Sequence, residues 1–310
     1  MHQLLKFNMR TPNGEPKVSY SQFAMYSTCP KQWQLAYIKG LRTATQSIHT
    51  LFGTCFHETL QTYLTVMYTE SIKKADELNL PEMLLNKMRD AYKQAMTTQS
   101  EHFASKSQLT EFYNDGVAIL EYLKKNRSRY FSSRTEELVG IEVPIYHPVD
   151  SAAGPVMMMG FLDIVLRNKN TDRIKIVDIK TSTNGWNKHQ KADKLKASQL
   201  ILYKEYFSAQ YGFDVEKIDI LYMIVKRKLV EGAMFTQKRI QEFQPASGKP
   251  TRNKLKQQIS TWISTSFNED GSYNETREYP AVAGKNKKNC KYCEFANRGE
   301  LCLASKRIAE

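Results

Sequence analysis

Two spacings of hydrophobic residues divide the chain, and each spacing predicts a different kind of element. Up to about residue 135, apolar side chains recur every three to four positions, which is the spacing of one helical face. They predict a first helix from Ser19, interrupted by Pro30, and a second helix that carries the segment FHETLQTYLTVMY. Ser19 and Gln22 have the spacing of a capping box. Residues 70–135 keep the helical spacing without strand-like alternation, so we predict a helical insertion there.

Beyond that point the chain changes to short β-branched runs separated by turn residues, which is typical of strands. The segments ELVGIEVPIYH, VMMMGFLDIVLR and RIKIVDIKT predict three strands, and KIDILYMIVKRK predicts a fourth. A helix at ASQLILYKEYFSAQY, ended by Gly212, lies between the third and fourth strands. Another helix is predicted around KLKQQISTWI, ahead of a cysteine-bearing tail. The order helix, three strands, helix, strand predicts an α/β fold with an αβββαβ core.

One predicted strand ends in charged residues on an apolar face. Side chains two positions apart in a strand point the same way, and in the stretch RIKIVDIKTS the shared side carries Ile174, Ile176, Asp178 and Lys180. Charges on an apolar face cost free energy unless another group stabilises them. The pattern fits either a salt pair at a strand end or a functional cluster.

The neighbouring strand supplies a second carboxylate. The segment RNKNTDR at 167–173 predicts a turn, and antiparallel pairing about its centre places Asp163 opposite Asp178. Directly opposed side chains have β carbons about 5 Å apart, close enough for both carboxylates to hold one divalent cation. Lys180 would then lie beside the cation, where its ammonium could orient an attacking water or stabilise a phosphorane.

The charge of the chain indicates a polyanionic partner. Lys and Arg exceed Asp and Glu across the 310 residues, which gives a formal net charge of +13 and a pI near 9.3. This balance favours nucleic acid over a membrane surface, although a merely soluble basic protein has the same composition. We expect no membrane partner, because no apolar run is long enough to span a bilayer.

The cysteines bear on the compartment. Residues 1–10 lack the apolar stretch of a signal peptide, so we expect a cytoplasmic protein. In a reducing compartment the cysteines are expected to be thiols or metal ligands rather than disulfides. Cys55 fits no ligand spacing and is expected to be a small buried apolar residue.

Ordered motifs resemble the PD-(D/E)xK nuclease signature, and in particular its RecB-type branch. The segment GFLD is followed fifteen residues later by DIK, and SQFAMYSTCP, GTCFHETL and SQLILY match three further motifs in the family's order. The match covers most of the chain outside residues 70–135, with Leu162 at the position of the family's usual proline. The resemblance implies a single domain over residues 1–310, with a restriction-endonuclease-like core, a helical insertion and a cysteine-stapled tail.

The resemblance also implies which residues form the active site. The implied metal ligands, for Mg or Mn, are His57, Asp163, Asp178 and the backbone carbonyl of Ile179. The implied catalytic residues are Asp163, Asp178, Lys180, Gln199 and Tyr203. On residue type alone, His57 also fits a core or surface histidine, and Gln199 with Tyr203 fits an ordinary polar pair. Glu142 fits either a further metal contact or a solvent-facing acid.

Four of the cysteines form a second pattern. Cys290 and Cys293 make a Cys-x-x-Cys, Cys302 follows in the tail at 280–310, and Cys29 lies in the first helical motif. This split resembles the iron-sulfur staple of AddB-type and CRISPR-associated RecB-type exonucleases, which implies a [4Fe-4S] cluster that ties the tail to the first helix. Zinc also suits four thiolates, and unligated thiols are the remaining alternative.

A basic loop follows the DIK motif. The stretch TSTNGWNKHQKADKLKAS carries the candidate DNA-binding residues Trp186, Lys188, Lys191 and Lys194. Lysines could follow a phosphate backbone while Trp186 stacks on a base. Alternatively the loop is solvated and the indole packs on the core.

Together these features predict a metal-dependent deoxyribonuclease. The resemblance implies an exonuclease that prefers single-stranded DNA ends, in recombination, repair or replication. A small standalone nuclease of this kind would suit a prokaryote or a phage-infected cell. The alternatives are a non-catalytic DNA-binding subunit and a processing nuclease of a helicase or CRISPR-integration complex. The sequence contains no Gly-x4-Gly-Lys-Ser/Thr loop, so ATP-driven unwinding would require a helicase or recombination partner.

Overall fold

The protein is described here from a computed structural model, which describes residues 16–43, 46–99 and 101–309. The segment 1–10, on which the signal-peptide prediction depends, lies outside these ranges. Two compact units can be distinguished. The sheet unit contains the described residues of Thr45–Pro144 and Phe161–Ala246, and the tail unit contains those of Met9–Ala44, Ile145–Gly160 and Ser247–Glu310.

Helices and strands follow the predicted order within the described ranges. The helices are α1 (Tyr20–Thr28), α2 (Pro30–Trp33), α3 (Ile48–Thr69), α4 (Ile72–Glu77), α5 (Leu80–Thr98), α6 (Lys106–Lys125), α7 (Arg127–Tyr130), α8 (Lys188–Ala192), α9 (Lys194–Tyr211) and α10 (Lys249–Ser266). The strands are β1 (Lys17–Ser19), β2 (Glu136–Pro148), β3 (Met157–Asn168), β4 (Ile174–Ser182), β5 (Ile218–Lys226) and β6 (Ile240–Phe243). None of the described helices is long and apolar enough to cross a membrane.

Strand β4 lies at the centre of the sheet unit. It pairs in parallel with β5 and antiparallel with β3, while β6 adds to β5 in the antiparallel direction and β2 pairs with β3. The α/β fold with a mixed sheet is therefore confirmed. In the β3–β4 pair Val165 lies opposite Ile176, which is the register that the turn predicted. The strands β1 and β6 were not predicted, because three or four residues are too few to show an alternating pattern.

The turn between β3 and β4 explains the register. The side chain of Asn168 accepts the backbone N–H groups of Asn170 and Thr171, both at 3.0 Å. Asp172 then takes a positive φ of 58°, a conformation that aspartate tolerates better than most residues. These local bonds fix the centre of the hairpin and so fix which side chains oppose one another.

The segment predicted as a helical insertion carries α4 to α7, and its apolar side chains lie in the main core of the sheet unit. Helices α5 and α6 bury Leu84, Met88, Phe112 and Ile119 in that core. Their packing is close, since a Cβ added at Gly116 would lie 2.5 Å from the Cδ2 atom of Leu84. Removing this segment would therefore remove part of the core, whatever its role on DNA.

A buried arginine holds α6 to the end of β5. The guanidinium of Arg227, which is 6% exposed, lies 3.6 Å from the ring centroid of Phe112 and 2.7 Å from a carboxylate oxygen of Asp115. Lys228 adds contacts of 3.2 Å to Asp115 and 2.8 Å to Glu111. Moving α6 away from the end of β5 would leave the buried guanidinium of Arg227 unpaired, so we expect the two elements to stay together.

The tail unit is built around aromatic packing. Strand β1 pairs in parallel with Met157–Met159 of β3. The buried ring of Trp33 lies edge-on to Trp262 and to Tyr273, with centroid distances of 5.7 Å in both pairs. Such edge-to-face pairs add to the free energy gained by burying the rings.

The capping box predicted at the start of α1 is only half formed. Ser19 accepts the backbone N–H of Gln22 at 3.4 Å, as expected. The side chain of Gln22 does not return to Ser19, because it donates to the carbonyl of Lys17 and accepts the indole N–H of Trp33 at 3.2 Å. The reciprocal bond was thus wrongly predicted: a buried indole N–H needs an acceptor, and Gln22 supplies it.

Candidate active site

Four elements of the sheet unit bring the predicted site residues together. Strand β4 carries Asp178 and Lys180, and β3 carries Asp163. Helix α3 contributes His57, which lies beside Asp163. Helix α9 contributes Gln199 and Tyr203, and Gln199 contacts Lys180.

Asp178 and Lys180 form a buried ion pair. The Nζ atom of Lys180 lies 2.8 Å from Oδ2 of Asp178, whose side chain is 5% exposed. Among the described residues no donor is well directed at that oxygen, although the ammonium is close enough for a strong Coulombic attraction. A buried carboxylate oxygen without a well-directed donor is one that a cation could bind.

Asp163 is held by the backbone of the neighbouring strand. Its Oδ2 atom accepts the N–H of Ile179 at 2.7 Å, so a side chain takes the place that a backbone carbonyl would fill in a regular ladder. The same oxygen lies 3.6 Å from Nδ1 of His57. These contacts fix the Asp163 carboxylate beside the main chain of β4.

The two carboxyl groups titrate unusually because they are buried together. Burial raises the pKa of Asp163 well above its usual range, and the charge of Asp178 raises it further. Burial also raises the pKa of Asp178, against the opposing charge of Lys180. We expect the stronger rise at Asp163, because the ammonium lies against Asp178. Without a cation, this pair of acids favours a bound proton.

His57 and Lys180 have the protonation states that metal-dependent chemistry needs. Burial and the charge of Lys180 lower the pKa of His57 to about 4, so the imidazole is neutral at neutral pH and has a lone pair for a metal. Burial alone would lower the pKa of Lys180, but the charges of Asp178 and Asp163 outweigh it and raise the pKa. Lys180 is therefore an ammonium throughout the physiological range.

Helix α9 supports the lysine. The side-chain oxygen of Gln199 accepts from Nζ of Lys180 at 3.1 Å, and its amide nitrogen lies 3.4 Å from the hydroxyl of Tyr203. Burial raises the pKa of Tyr203, which keeps its hydroxyl protonated. The ring of Tyr222 lies under the ammonium at 5.9 Å. The lysine is thus held from several sides.

Two further residues at the site form a pair that the sequence did not predict. Gln61, one helical turn after His57, donates from Nε2 to Oε1 of Glu142 at 2.6 Å and to the backbone carbonyl of Asp163 at 3.3 Å. Glu142 has a positive φ of 48°, although it lies within β2. The spacing of His57 and Gln61 on one helix face was the available signal, but it does not identify the partner.

Comparison with known proteins decides the family. The model of the PD-(D/E)XK nuclease superfamily matches residues 17–298. The chain belongs to the PD-(D/E)XK nuclease superfamily. Its α/β architecture with a mixed sheet is consistent with the restriction-endonuclease-like fold of that superfamily. Membership implies a metal-dependent nuclease with DNA as its substrate class, and the metals of the superfamily are divalent ions of the Mg or Mn type.

A solved structure is also similar in part. The crystal structure of SSO0001 is similar over 92% of this chain and 96% of that chain, with 14% sequence identity and a TM-score of 0.34. A search of curated proteins found no significant match.

The side chains of the site are of the types that bind Mg or Mn in proteins. Carboxylate oxygens and a neutral imidazole are ligands for Mn, and carboxylates suit Mg, while the oxygen of Asp178 without a directed donor is available to either ion. Within the described residues, however, no three His, Cys, Asp or Glu side chains already converge as a ligand set. A cation bound to Oδ2 of Asp178 would compete with the ammonium of Lys180, which lies 2.8 Å from that oxygen.

The four cysteines of the second pattern lie together in the tail unit. They line one small cavity, and the thiol of Cys29 accepts the backbone N–H of Val282 at 3.3 Å. Arg307 lies at the same cavity and donates to the carbonyl of Cys302 at 2.8 Å. Burial, above all, raises the pKa of Cys293, with the other three thiols adding to it. The structure thus brings the four together without arranging three of them as a metal-binding set in the described chain.

Cys55 lies apart from that cavity. It is 2% exposed in the core of the sheet unit, and burial raises the pKa of its thiol to about 11. The expectation of a small buried residue is confirmed.

The basic loop divides into a buried and an exposed part. Trp186 is 8% exposed and packs on Tyr222, with a centroid distance of 5.0 Å, and on Phe243. Its indole ring is therefore part of the core, which contradicts the predicted stacking on a base. The reason is that β5 and β6 leave an aromatic gap that the loop fills. Lys188 and Lys194 are exposed, and Lys191 is partly exposed.

Proposed function

We propose that this protein is a DNA exonuclease of the RecB-type branch that hydrolyses phosphodiester bonds from single-stranded ends. The observation that carries the proposal is the Lys180 ammonium, which contacts Asp178 at 2.8 Å and Gln199 at 3.1 Å. A lysine fixed beside two carboxylates by a polar side chain suits a group that must face a phosphate. A non-catalytic subunit would have no need to keep this arrangement.

The metal would be held by the implied set of His57, Asp163, Asp178 and the carbonyl of Ile179. When bound, Mg or Mn would supply positive charge to the phosphate and lower the pKa of water. Binding would displace the proton that the raised pKa values of the two carboxyl groups favour. The neutral state of His57 at pH 7 fits the same role.

Lys180 would act on the reacting phosphate. Water adds to phosphorus, the bond from phosphorus to the leaving sugar oxygen breaks, and the proton of the water passes to solvent while solvent protonates the leaving oxygen. The ammonium would orient that water and offset the negative charge of the pentavalent state. Gln199 and Tyr203 would keep the lysine in place, since their contacts leave its nitrogen few alternative positions.

The exposed lysines of the basic loop would follow the DNA backbone. Lys188, Lys191 and Lys194 lie in or beside α8 and α9, close in sequence to Gln199. Their role would be sequence-independent attraction of phosphates, so binding should weaken as salt rises. Trp186 has no part in this proposal, because its ring is buried.

The tail would hold a [4Fe-4S] cluster on Cys29, Cys290, Cys293 and Cys302, with zinc as the alternative. The proximity of the four thiols around one cavity supports the proposal. A cluster there would tie residues 280–310 to the first helix across a very long loop. We further propose that residues 1–310 form one nuclease domain and that residues 70–135 are an insertion in it.

The proposed function is tested with end-labelled strands. Wild-type protein, purified without oxygen, is expected to release labelled mononucleotides from one end of a single strand in Mg or Mn and not in EDTA. Lys180→Met should abolish release, while Lys175→Met is the matched control, because Lys175 is another partly buried lysine of β4 that pairs with an acid, Glu136. Equal activity in both variants, or internal cutting, would overturn the proposal. Iron and sulfide analysis of the same preparation tests the cluster.

A further inference from the structure

Gln61 and Glu142 form a contact that the implied ligand set does not explain. Gln61 is only 6% exposed, yet both of its amide N–H groups can be assigned, one to Glu142 at 2.6 Å and one to the carbonyl of Asp163 at 3.3 Å. A buried amide that bridges a carboxylate and the backbone of a proposed metal ligand fixes their relative position.

Glu142 adopts its position at a cost. Its φ of 48° is the only positive φ of a non-glycine residue inside a strand of the described chain. Such backbone strain costs free energy and is concentrated at functional sites in proteins. The strained residue ends in a carboxylate that Gln61 holds, and its charge is one of those that act on Asp163.

Gln61 lies at an opening, and Glu142 is itself exposed. Gln61 and Ile141, the neighbour of Glu142, line an open groove of about 350 Å³ together with Glu58, Thr62 and Lys87. Water and small ions can therefore reach the side of the site that Gln61 and Glu142 form. Divalent Mg keeps several of its waters in protein sites, and these waters need acceptors.

We propose that Gln61 and Glu142 are positioning residues for the cation. Glu142 accepts hydrogen bonds from cation-bound water, and Gln61 fixes the position of the Glu142 carboxylate relative to the backbone of Asp163. The proposal rests on the proposed function and deepens it. In this proposal Glu142 is not a direct ligand of the cation.

The test measures Mn²⁺ binding by calorimetry without DNA. Glu142→Gln removes the charge and keeps the shape, and Gln61→Leu removes the amide. Each is expected to weaken Mn²⁺ binding about 10-fold or more, as the loss of supporting hydrogen bonds does in other metal sites. Because both act through one contact, the double variant should be no weaker than about the worse single variant. The matched control is Glu58→Gln, which removes a charge from the same groove, and its affinity should stay within about twofold of the wild type.

A second variant separates positioning from folding. Glu142→Asn loses the long carboxylate, but asparagine tolerates a positive φ, so its melting temperature should equal or exceed that of the wild type. Weak Mn²⁺ binding in a protein of undiminished stability supports the proposal. Saturating Mn²⁺ should also restore the DNA cleavage rate of Glu142→Gln.

The outcomes distinguish the two proposals. If the wild type binds Mn²⁺ and Glu142→Gln binds it equally well, the positioning role is overturned and the nuclease proposal stands. If Glu58→Gln loses as much affinity as Glu142→Gln, the effect is general electrostatics and the positioning role is again overturned. If the wild type binds no Mn²⁺ at all, the metal-dependent function fails with it.

Discussion

The carboxylate site of the sheet unit and the thiol cavity of the tail unit gather metal-binding groups in opposite ways. Asp163 and Asp178 are held by directed contacts, a backbone N–H at 2.7 Å and an ammonium at 2.8 Å. In the thiol cavity the contacts are longer and go to sulfur, which is a weak acceptor, as in the bond from the N–H of Val282 to Cys29 at 3.3 Å. The first site is positioned by the fold, whereas the second is only brought together by it.

The two sites therefore differ in the free-energy penalty that each carries when no metal is bound. Two buried carboxylates repel and bind a proton, so the sheet unit carries a free-energy penalty until a cation arrives. Protonated thiols are nearly apolar and carry no such penalty. A metal should therefore relieve strain in the first site and create order in the second.

The largest effect is expected from Asp178→Asn. Loss of this charge removes a proposed ligand and the partner of Lys180, so Mg-dependent cleavage should fall by about 10³-fold. The iron or zinc content of the tail should not change. The check is the rate of nucleotide release alongside metal analysis. Asp219→Asn is the control, since Asp219 pairs with Arg173 at the surface of β5, and a comparable loss in that variant would count against the site.

The converse is expected from Cys302→Ser. Removing one thiol from the cavity should deplete iron or zinc and lower folding stability by several kcal/mol, about the order of a structural metal site. Mn²⁺ binding in the sheet unit should stay within about twofold at temperatures where the variant is folded. Metal analysis and calorimetry measure the two effects. Cys55→Ala, which removes a thiol elsewhere, should keep the metal; depletion in both variants would mean that the cavity is not the site.

A smaller effect, of opposite sign, is expected from Asp163→Asn in EDTA. The folded-state pKa of Asp163 is raised, first by burial and then by Asp178. The wild type therefore loses stability as pH rises from the ordinary aspartate pKa of about 3.9 through the raised value. Asparagine has no charge to bury, so the variant should be more stable by about 1 kcal/mol or more at pH 7.5, and not at pH 3.5.

Urea unfolding at the two pH values measures this difference. Added Mn²⁺ should then stabilise the wild type more than Asp163→Asn, because the wild type keeps the proposed ligand. A variant that is less stable than the wild type at pH 7.5 would show that the contacts of the Asp163 carboxylate stabilise the fold by more than its burial and repulsion destabilise it.

The smallest effect is expected from Asn289→Ala. Its side chain donates to the carbonyls of Thr28 and Val282 at 3.0 and 3.2 Å, beside the thiol cavity. Two carbonyls would lose a donor, which costs about 0.5–1 kcal/mol where water takes its place, and the metal should be released faster to a chelator. Asn297→Ala, at an exposed position of the same segment, is the control. Equal release rates in the two variants would argue that Asn289 does not hold the cavity.

Much of the sheet unit could be predicted because local signals determine it. The side chain of Asn168 fixes the turn by local hydrogen bonds, so the register of β3 against β4 could be predicted. That register brings Asp163 close enough to Asp178 for their charges to interact. Helical spacing likewise placed Gln199 one turn from Tyr203, while its contact with Lys180 was implied by the family resemblance. These are arguments over a few residues, where spacing alone is informative.

The remainder depends on contacts between distant segments. Gln61 and Glu142 are 81 positions apart, and neither has a pattern that indicates the other. Trp186 lies among lysines, which suggested exposure, yet the aromatic gap beside Tyr222 and Phe243 decided its position. A sequence shows which residues are unusual for their surroundings, but the packing of other segments determines where they lie.

One bond in the sheet has a consequence for sequence variation. The N–H of Ile179 belongs to the main chain, and it is this group that fixes Asp163. The anchor of a reactive carboxylate therefore does not depend on the identity of the side chain at 179, which is free to change among apolar residues that fill the same core volume. Replacing that amide by an ester in the backbone is the change that would remove this hydrogen bond alone, whereas proline at 179 would remove it and also disturb the strand.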